Sequence, residues 1–409
     1  MAIQISNISK IFASPGIYLT TIICWQIIFF LKFDGKTGCL KTSKRHHREI
    51  FHTNRIDKRK SNIVIEQGHL PRLLEETEQG TPRKTLVLGN HKPHQAPKLL
   101  TIFTTFSEHD KSMFGIQNNT ICNFAHFPGK ITNLVVFVTE SFHQNRPIKC
   151  SHTCLNDTIC DTVHPKWSII HLNKTLMPNG KRPILKSMFL EVQRQFSSEF
   201  YMYTNNDILF HTDRLLNSLK TISVHTKTEK MKNYLITGGR RNEKFYDPTK
   251  QATKILKSGK DDEIMQISRT AQKMNGNDKE YLITGRDSFP WKSIPNFVIG
   301  APFYADWLIL YCNKLYTATF DVSYTTMAIH QEGQELADKH TQMTTSLDNI
   351  NADIFKRFVK HEYNIKQSNL KCCTYRTLFK KDFRFYVQKN PLFISKNCIL
   401  KDMQLPNPG

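Results

Sequence analysis

Acidic residues are scarce in this chain of 409 residues, which has 35 Asp and Glu against 57 Lys and Arg. The net charge of +22 favours anionic partners such as nucleotides, acidic glycans, anionic lipids or nucleic acid. The basic residues are spread along the chain, and the aromatic-basic repeats typical of nucleic-acid modules are missing. We therefore expect a surface with a general preference for anions and no nucleic-acid partner.

The sequence also lacks any Cys-x-x-Cys pair, although it contains 10 cysteines. Three of them cluster within residues 150–160 beside histidines, but their spacing fits no common zinc site. Disulfide bonds in an oxidising compartment are the interpretation we favour over zinc. A further bridge is expected to join Cys398 to the pair Cys372 and Cys373, with the partner left open.

Residues 11–31 carry no charge and are mostly apolar, which is just long enough to span a membrane. No small-residue cleavage site follows this run, so we predict an uncleaved signal anchor that joins the chain to a membrane. Lysines and Arg45 directly after the run argue locally against a luminal body.

Composition divides the chain into four parts. Residues 1–32 form a short tail and the anchor, and the polar, basic residues 33–95 are typical of a linker. An α/β pattern occupies residues 96–340, and residues 341–409 are a basic extension for which we find no motif.

Within residues 96–340, apolar runs of strand length alternate with segments of helical spacing. The predicted strands are Leu99–Phe106, Asn133–Thr139, Phe200–Tyr203 and two near-copies that begin at Tyr234 and Tyr281, and the predicted helices are Lys111–Phe127 and Leu185–Phe196. This alternation predicts an α/β fold with a mostly parallel central sheet flanked by helices. Ligands of such sheets bind at the carboxyl ends of the strands.

The most informative stretch is Phe200–Phe210, in which an aromatic run ends in Asn205, Asn206 and Asp207. Asn-x-Asp is a degenerate form of the Asp-x-Asp motif with which many sugar-nucleotide enzymes hold a metal against a diphosphate. Hard oxygen ligands suit Mn²⁺ or Mg²⁺. The alternative is a strand end closed by an Asx turn.

Several segments in order carry a resemblance to a known family. They are Thr101–Phe106, Ile116–Ala125, Leu134–Phe137, Pro183–Leu190, Phe200–Phe210, Thr237–Asn242, Phe289–Gly300, Tyr304–Trp307 and Ala328–Gln331. Over about residues 98–335 the chain resembles a metazoan and plant family of predicted nucleotide-diphospho-sugar transferases with a GT-A-like fold. It departs from the family pattern at Ala301, where an Arg is usual, and at Asn206, where a small residue is common.

The resemblance implies a membrane-anchored glycosyltransferase of the Golgi or ER with a luminal catalytic domain. It would move a sugar from a nucleotide-diphospho-sugar to a glycan or glycoconjugate, with Mn²⁺ or Mg²⁺ as cofactor. Asp207 is the best metal ligand, Asn205 a weaker oxygen donor or outer partner, and the resemblance adds His330 as a further ligand or, alternatively, a strand-end histidine bonded to backbone.

Donor contacts are expected at the end of the first strand and at basic side chains. The resemblance places Thr104, Thr105 and Phe106 against the base or ribose, with a plain strand end as the alternative. Lys186, on the helix before the metal strand, is within reach of a phosphate or is simply solvated. The adjacent residues Arg240 and Arg241 follow a strand, and because neighbouring side chains of extended backbone point opposite ways, at most one should face the phosphates.

On the acceptor side, an inverting transfer needs a base near the attacking hydroxyl, and Asp306 is our candidate. Trp291 and Trp307 are expected to stack on sugar faces, with core packing as the equal alternative. A retaining mechanism needs no such base. The competing hypothesis is an inactive protein of the same fold that binds a nucleotide or an acidic glycan, and a third is a soluble nucleic-acid-binding protein.

Overall fold

A computed structural model of the chain describes residues 96–106, 113–139, 167–177, 182–247, 249, 252–273, 278–333, 348–359, 365–382 and 384–406. The predicted anchor, the linker up to residue 95 and the cysteine cluster at 150–160 lie outside these residues. In the part that is described, no helix combines the length and the apolar character needed to cross a membrane.

The described chain alternates strands and helices. The strands are β1 (Lys98–Thr105), β2 (Thr132–Val138), β3 (Trp167–His171), β4 (Ser198–Thr204), β5 (Ile208–Phe210), β6 (Tyr234–Gly239), β7 (Arg241–Lys244), β8 (Tyr246–Asp247), β9 (Ala252–Thr253), β10 (Gln272–Lys273), β11 (Lys279–Gly285), β12 (Ala318–Asp321), β13 (Ala328–Glu332), β14 (Tyr375–Phe379) and β15 (Phe385–Lys389). The α-helices are α1 (Phe114–Phe124), α2 (Leu185–Gln195), α3 (Thr212–Thr228), α4 (Asp261–Thr270), α5 (Tyr304–Lys314), α6 (Asp348–Phe358) and α7 (Ser395–Cys398).

A nine-stranded sheet in the order β15-β14-β12-β6-β11-β4-β1-β2-β3 organises the molecule. Strands β3, β2, β1 and β4 run parallel, as do β6, β12 and β14, whereas β11 is antiparallel to both of its neighbours, β4 and β6. The predicted mixed α/β fold with a mostly parallel sheet is therefore observed, and this arrangement fits a GT-A-like fold. Strand β11 contains the predicted strand that begins at Tyr281, but its antiparallel direction was not predicted.

Alternation along the strands divides the core between the two faces of the sheet. On one face Phe103 of β1 packs with helices α2 and α5, including Phe189 and Trp307. On the other face Ile102 packs with α1 and α3, including Phe124 and Leu219. Both faces of the central strands are covered, which explains why those strands are apolar throughout.

The two near-copies of the sequence Tyr-Leu-Ile-Thr-Gly are neighbouring antiparallel strands, β6 and β11. A Cβ at Gly238 would collide with the Tyr281 hydroxyl, and a Cβ at Gly285 would collide with the Tyr234 hydroxyl. Each copy therefore supplies the bulky ring for which the other copy leaves space. This reciprocal packing gives a physical reason for the repeated pattern without any larger repeat.

Residues beyond 341 continue the same architecture. Strand β14 pairs in parallel with β12, and β15 closes that edge of the sheet in antiparallel fashion. A disulfide joins Cys372 to Cys398, which confirms the bridge expected among the C-terminal cysteines. The region predicted as an extension thus forms part of the central sheet.

Candidate functional site

Asp207, Glu280 and His330 meet at the edge of the sheet where β4 ends, and each can offer one ligand atom within 4.8 Å of the others. Strand pairing brings them together. Tyr281 of β11 pairs with Thr204 of β4, which places Glu280 level with Asn205. His330 of β13 pairs with Ile208 of β5, which places it beside Asp207.

Helix α1 fixes the turn that carries Asp207. Thr120 Oγ1 donates to the Asn206 carbonyl at 2.6 Å, and Gln331 donates its backbone N–H to the Asp207 carbonyl at 2.9 Å. Asn119 Nδ2 donates to Gln331 Oε1 at 2.8 Å, which links the helix to β13. These buried polar side chains sit among the apolar residues that predicted the helix, and they make α1 a rigid support for the site.

The pairing between β6 and β11 shifts register between Lys279 and Leu282. This irregularity spans Glu280, and such bulges commonly re-aim a side chain next to a site. Glu280 accepts a hydrogen bond from Asn205 Nδ2 at 3.1 Å and forms an ion pair with Arg240. Nothing in the sequence pattern singled out Glu280, because its partners lie 40 to 75 residues away and meet it only through an antiparallel strand.

The electrostatics of the cluster are those of closely packed opposite charges. Burial opposes ionisation of Asp207, but His330 and Arg240 together outweigh burial and lower the pKa of its carboxyl. Burial, reinforced by the charge of Asp207, raises the pKa of Glu280. Burial alone would lower the pKa of His330, but the carboxylate of Asp207, 3.3 Å from His330 Nε2, raises it.

The donor set fits a divalent metal. Two carboxylates and an imidazole suit Mn²⁺, which takes oxygen and nitrogen ligands. Among the residues that the structure describes, Asp207 Oδ1 is a buried carboxylate oxygen without a hydrogen-bond partner, and His330 turns its Nε2 toward the same carboxylate. Because an unpaired buried oxygen is costly, this carboxylate indicates a site that a cation would complete.

Asn205 lies next to this cluster with its side chain engaged. The Tyr203 hydroxyl donates to Asn205 Oδ1 at 2.7 Å, and the amide donates to Glu280. Of the two roles expected for Asn205, this geometry corresponds to the outer partner that orients a ligand.

Arg240 and Arg241 diverge, as the alternation of extended backbone requires. Arg240 is nearly buried and faces Glu280 at the cluster. Arg241 donates from Nη1 to the Ser268 carbonyl at 2.9 Å and so binds the end of α4. Of the two predicted phosphate contacts, Arg240 alone reaches the cluster.

The three predicted donor contacts at the end of β1 lie in different surroundings, one at the sheet edge and two buried. Phe103 of β1 pairs with Tyr203 of β4, so Thr105 lies level with Asn205 at the same sheet edge. Thr104 is fully buried, and Phe106 is buried against Trp167 with ring centroids 5.6 Å apart.

Lys186 lies in the first turn of α2, and partial burial lowers its pKa. Its role as a phosphate contact stays a prediction.

Asp306 is held by an ion pair with Lys279 at 2.8 Å and accepts a hydrogen bond from Ser368 Oγ at 2.6 Å. It therefore ties helix α5 to β11 and to the C-terminal region, and its role as a base stays a prediction.

Phe303, the residue directly before helix α5, has φ of 78°, a strained conformation for a bulky side chain.

The two tryptophans expected to stack on sugars lie in the core. Trp291 is 2% exposed and stacks on Phe189 with centroids 3.8 Å apart. Trp307 is fully buried and stacks on Tyr311 at 4.8 Å. Protein covers both rings, so the alternative of core packing describes them.

Comparison with known proteins gives only distant similarities. No family model matches the chain, and no curated protein matches its sequence. Among solved structures, the inositol-1-phosphate CTP transferase from T. maritima is 11% identical, with 62% of this chain and 100% of that chain covered and a TM-score of 0.31.

Two further structures were solved with nucleotide sugars. TarS 1-349 from S. aureus, in complex with UDP-GlcNAc, is 14% identical over 36% of this chain and 35% of that chain, with a TM-score of 0.22. The mannosyltransferase PcManGT from Pyrobaculum calidifontis, in complex with GDP-Man and Mn²⁺, is 11% identical over 58% of this chain and 59% of that chain, with a TM-score of 0.31. At identities of 11–14% and TM-scores of 0.22–0.31, these similarities do not indicate a function for this chain.

Proposed function

We propose that this chain is a glycosyltransferase that moves a sugar from a nucleotide-diphospho-sugar to a glycan or glycoconjugate, with a divalent metal at Asp207, Glu280 and His330. The observation that carries the proposal is the convergence of these three side chains at the carboxyl edge of a mostly parallel sheet. The unpartnered atom Asp207 Oδ1 supports a metal at that point.

Transfer of a sugar breaks a bond between the anomeric carbon and a phosphate oxygen, so negative charge develops on the leaving diphosphate. A bound divalent cation supplies Lewis-acid stabilisation of that charge. Arg240 lies at the same point, and its guanidinium is suited to bidentate contact with a phosphate once it exchanges Glu280 for the ligand. Thr105 occupies the neighbouring strand end, where the rest of the donor would extend.

One observation favours the competing proposal of a binding protein without turnover. Glu280 is already bonded to Arg240 and Asn205, so part of the cluster is compensated by the protein itself. A cleft of this kind would hold a nucleotide through Arg240 without needing a metal.

We further propose that the body of the protein lies in the lumen of the Golgi or ER, attached by the apolar run at residues 11–31. The disulfide between Cys372 and Cys398 supports an oxidising compartment.

The test measures Mn²⁺ binding to the purified full-length chain. Binding is detected as a loss of the electron-paramagnetic-resonance signal of free Mn²⁺. Turnover of UDP- and GDP-sugars is then measured with and without Mn²⁺. We expect Asp207→Asn to weaken Mn²⁺ binding and turnover by about 100-fold or more.

The matched control is Asp287→Asn, which removes an exposed carboxylate and should change neither quantity. Nucleotide binding that persists in excess chelator, with no turnover of any sugar, would replace the transferase by the binding protein. Turnover that survives Asp207→Asn would show that the metal site is wrongly assigned.

A further inference from the structure

A second cavity opens at the same sheet edge, between the ends of β6 and β12 and the C-terminal region. Its volume is about 320 Å³, at the lower end of the range of roughly 300–1,000 Å³ common for small-ligand sites. Residues of the C-terminal region form much of one wall, among them Lys371, Arg376 and Asn390. This size suits one sugar residue of a larger ligand.

The lining of this cavity is strongly cationic. Its charged residues are Arg240, Arg241, Lys273, Lys371 and Arg376 against a single carboxylate, Asp321. Two of these cations are already used inside the protein, since Arg240 pairs with Glu280 and Arg241 with Ser268. Lys273 and Lys371 are exposed and line the opening together with Arg376.

The cavity is more than a patch of positive charge. Tyr324 is 46% exposed, and both Lys273 Nζ and the Arg376 guanidinium lie over its ring, 5.5 and 5.8 Å from its centroid. Asp321, which is almost fully buried, forms the floor and accepts hydrogen bonds from the Ser323 N–H and hydroxyl. Cations and an aromatic ring thus surround the opening, with a carboxylate beneath them.

This arrangement selects among anions. A small inorganic anion that filled the cavity would meet the Asp321 carboxylate at the floor. A ligand with hydroxyls at one end and an acid group at the other would satisfy both ends, because a carboxylate accepts from hydroxyls while the cations bind the acid. A sugar also has an apolar face for the Tyr324 ring.

Hydrogen bonds order the backbone of the C-terminal wall, and one of its cations, Arg376, has a fixed side-chain partner. Asn369 Oδ1 accepts from the Lys371 N–H at 3.0 Å, and Asn390 Nδ2 donates to the Cys373 carbonyl at 2.9 Å. With the Gln388 amide on β15 assigned in the orientation that satisfies both of its ends, its oxygen accepts from the Arg376 guanidinium at 2.7 and 3.0 Å. Such preorganisation lowers the entropy cost of binding.

We propose that this cavity binds an acidic saccharide, that is, a sugar that carries a carboxylate or sulfate group. This proposal rests on the proposed function: the acidic saccharide is the acceptor of the transferase. Arg240 lines the cavity and also pairs with Glu280, so the two sites adjoin. In the sheet order, the cavity strands β6, β12 and β14 lie on the opposite side of β11 and β4 from β1, where the donor is expected.

The experiment is calorimetric titration of the full-length chain with a disaccharide that ends in glucuronic acid, and with the same disaccharide ending in glucose. We expect the acidic disaccharide to bind without added metal and the neutral one to bind at least about tenfold more weakly. Lys273→Gln with Lys371→Gln should weaken acidic binding about tenfold. The control pair, Lys220→Gln with Lys292→Gln, removes the same charge from exposed sites elsewhere and should change nothing.

Two parallel titrations distinguish other occupants of the cavity. If inorganic phosphate binds as tightly as the acidic disaccharide, and the variant Lys273→Gln with Lys371→Gln weakens both equally, the cavity is an unspecific anion site. If the same variant weakens the binding of UDP with Mn²⁺, the cavity belongs to the donor site. Equal binding of the acidic and neutral disaccharides, or equal effects of the two lysine pairs, would also overturn the proposal.

The two proposals fail separately in this design. Asp207→Asn should abolish Mn²⁺-dependent UDP binding and leave disaccharide binding unchanged. If UDP never binds with Mn²⁺ but the acidic disaccharide does, the transferase is wrong and the cavity is a glycan-binding site. If UDP binds with Mn²⁺ but no disaccharide binds, the transferase stands and the acidic acceptor is wrong.

Discussion

The cluster of Asp207, Glu280 and His330 and the basic cavity lie at the same sheet edge but compensate charge in opposite ways. In the cluster, Asp207 pairs with His330 and Glu280 pairs with Arg240, all largely withdrawn from solvent. In the cavity, Lys273 and Lys371 are exposed and face solvent. A buried charge must be compensated by the protein itself, whereas an exposed charge can be left for a ligand. The comparison predicts that changes in the cluster affect mainly stability and that changes in the cavity affect mainly ligand binding.

The largest effect is expected from breaking the cluster. Glu280→Leu leaves Arg240 buried without its carboxylate, which should lower the free energy of unfolding by about 3–5 kcal/mol, measured by urea denaturation. Glu280→Leu combined with Arg240→Leu should recover much of this loss, since a buried ion pair replaced by apolar residues is often neutral. If the loss in the double variant equals the sum of the losses from Glu280→Leu alone and Arg240→Leu alone, the two side chains are not coupled.

The second-largest loss of stability is expected from removing the disulfide in the C-terminal region that forms the cavity wall. The disulfide joins residues separated by 26 positions, and its removal by Cys372→Ala with Cys398→Ala should cost about 3–4 kcal/mol in free energy of unfolding. The measurement is denaturant unfolding under non-reducing conditions. Wild-type protein treated with a reducing agent should lose at least as much, because any other disulfide is broken too, and an unchanged midpoint in both cases would contradict the prediction.

Titration of Asp321, at the floor of the cavity, should make the free energy of unfolding depend on pH. Burial raises the pKa of Asp321 to about 6, from an ordinary value of 3.8. The folded state therefore holds this proton more tightly than the unfolded state, and its contribution to stability is present below pH 3.8 and lost as pH rises through about 6. The loss is on the order of 2–3 kcal/mol.

Asp321→Asn removes this titration. The difference in unfolding free energy between the variant and the wild type should therefore grow in favour of the variant from pH 4 to pH 7, as measured by urea denaturation at each pH. Asp287→Asn, at an exposed carboxylate, controls for the loss of one acidic group. A constant difference for Asp321→Asn would mean that burial does not raise the pKa of Asp321.

The smallest effect on stability is expected at the opening of the cavity. Lys273→Gln with Lys371→Gln should change the free energy of unfolding by no more than about 0.5 kcal/mol, because both side chains are exposed. The thermal midpoint checks this. A large destabilisation would show that these lysines support the fold, and the contrast between the two regions would disappear.

Local sequence signals anticipated part of the site. The aromatic run that ends at Asp207 indicated a polar cluster at a strand end, and Asp207 and His330 do lie together. For Trp291 and Trp307 the sequence left sugar stacking and core packing as equal alternatives, and the structure buries both. Aromatic side chains suit a core as well as a ligand surface, and a single sequence does not say which face is covered.

The sequence by itself determined the alternation of strands and helices and the position of the polar turn after β4, because periodicity and turn chemistry are local properties. It also determined that Arg240 and Arg241 point opposite ways. Only the tertiary structure brought Glu280 to Asp207, through an antiparallel strand whose register shifts at that residue. Only the tertiary structure joined the C-terminal region to the central sheet and closed the cationic cavity. Contacts between distant segments depend on strand order and register, which local propensity does not encode.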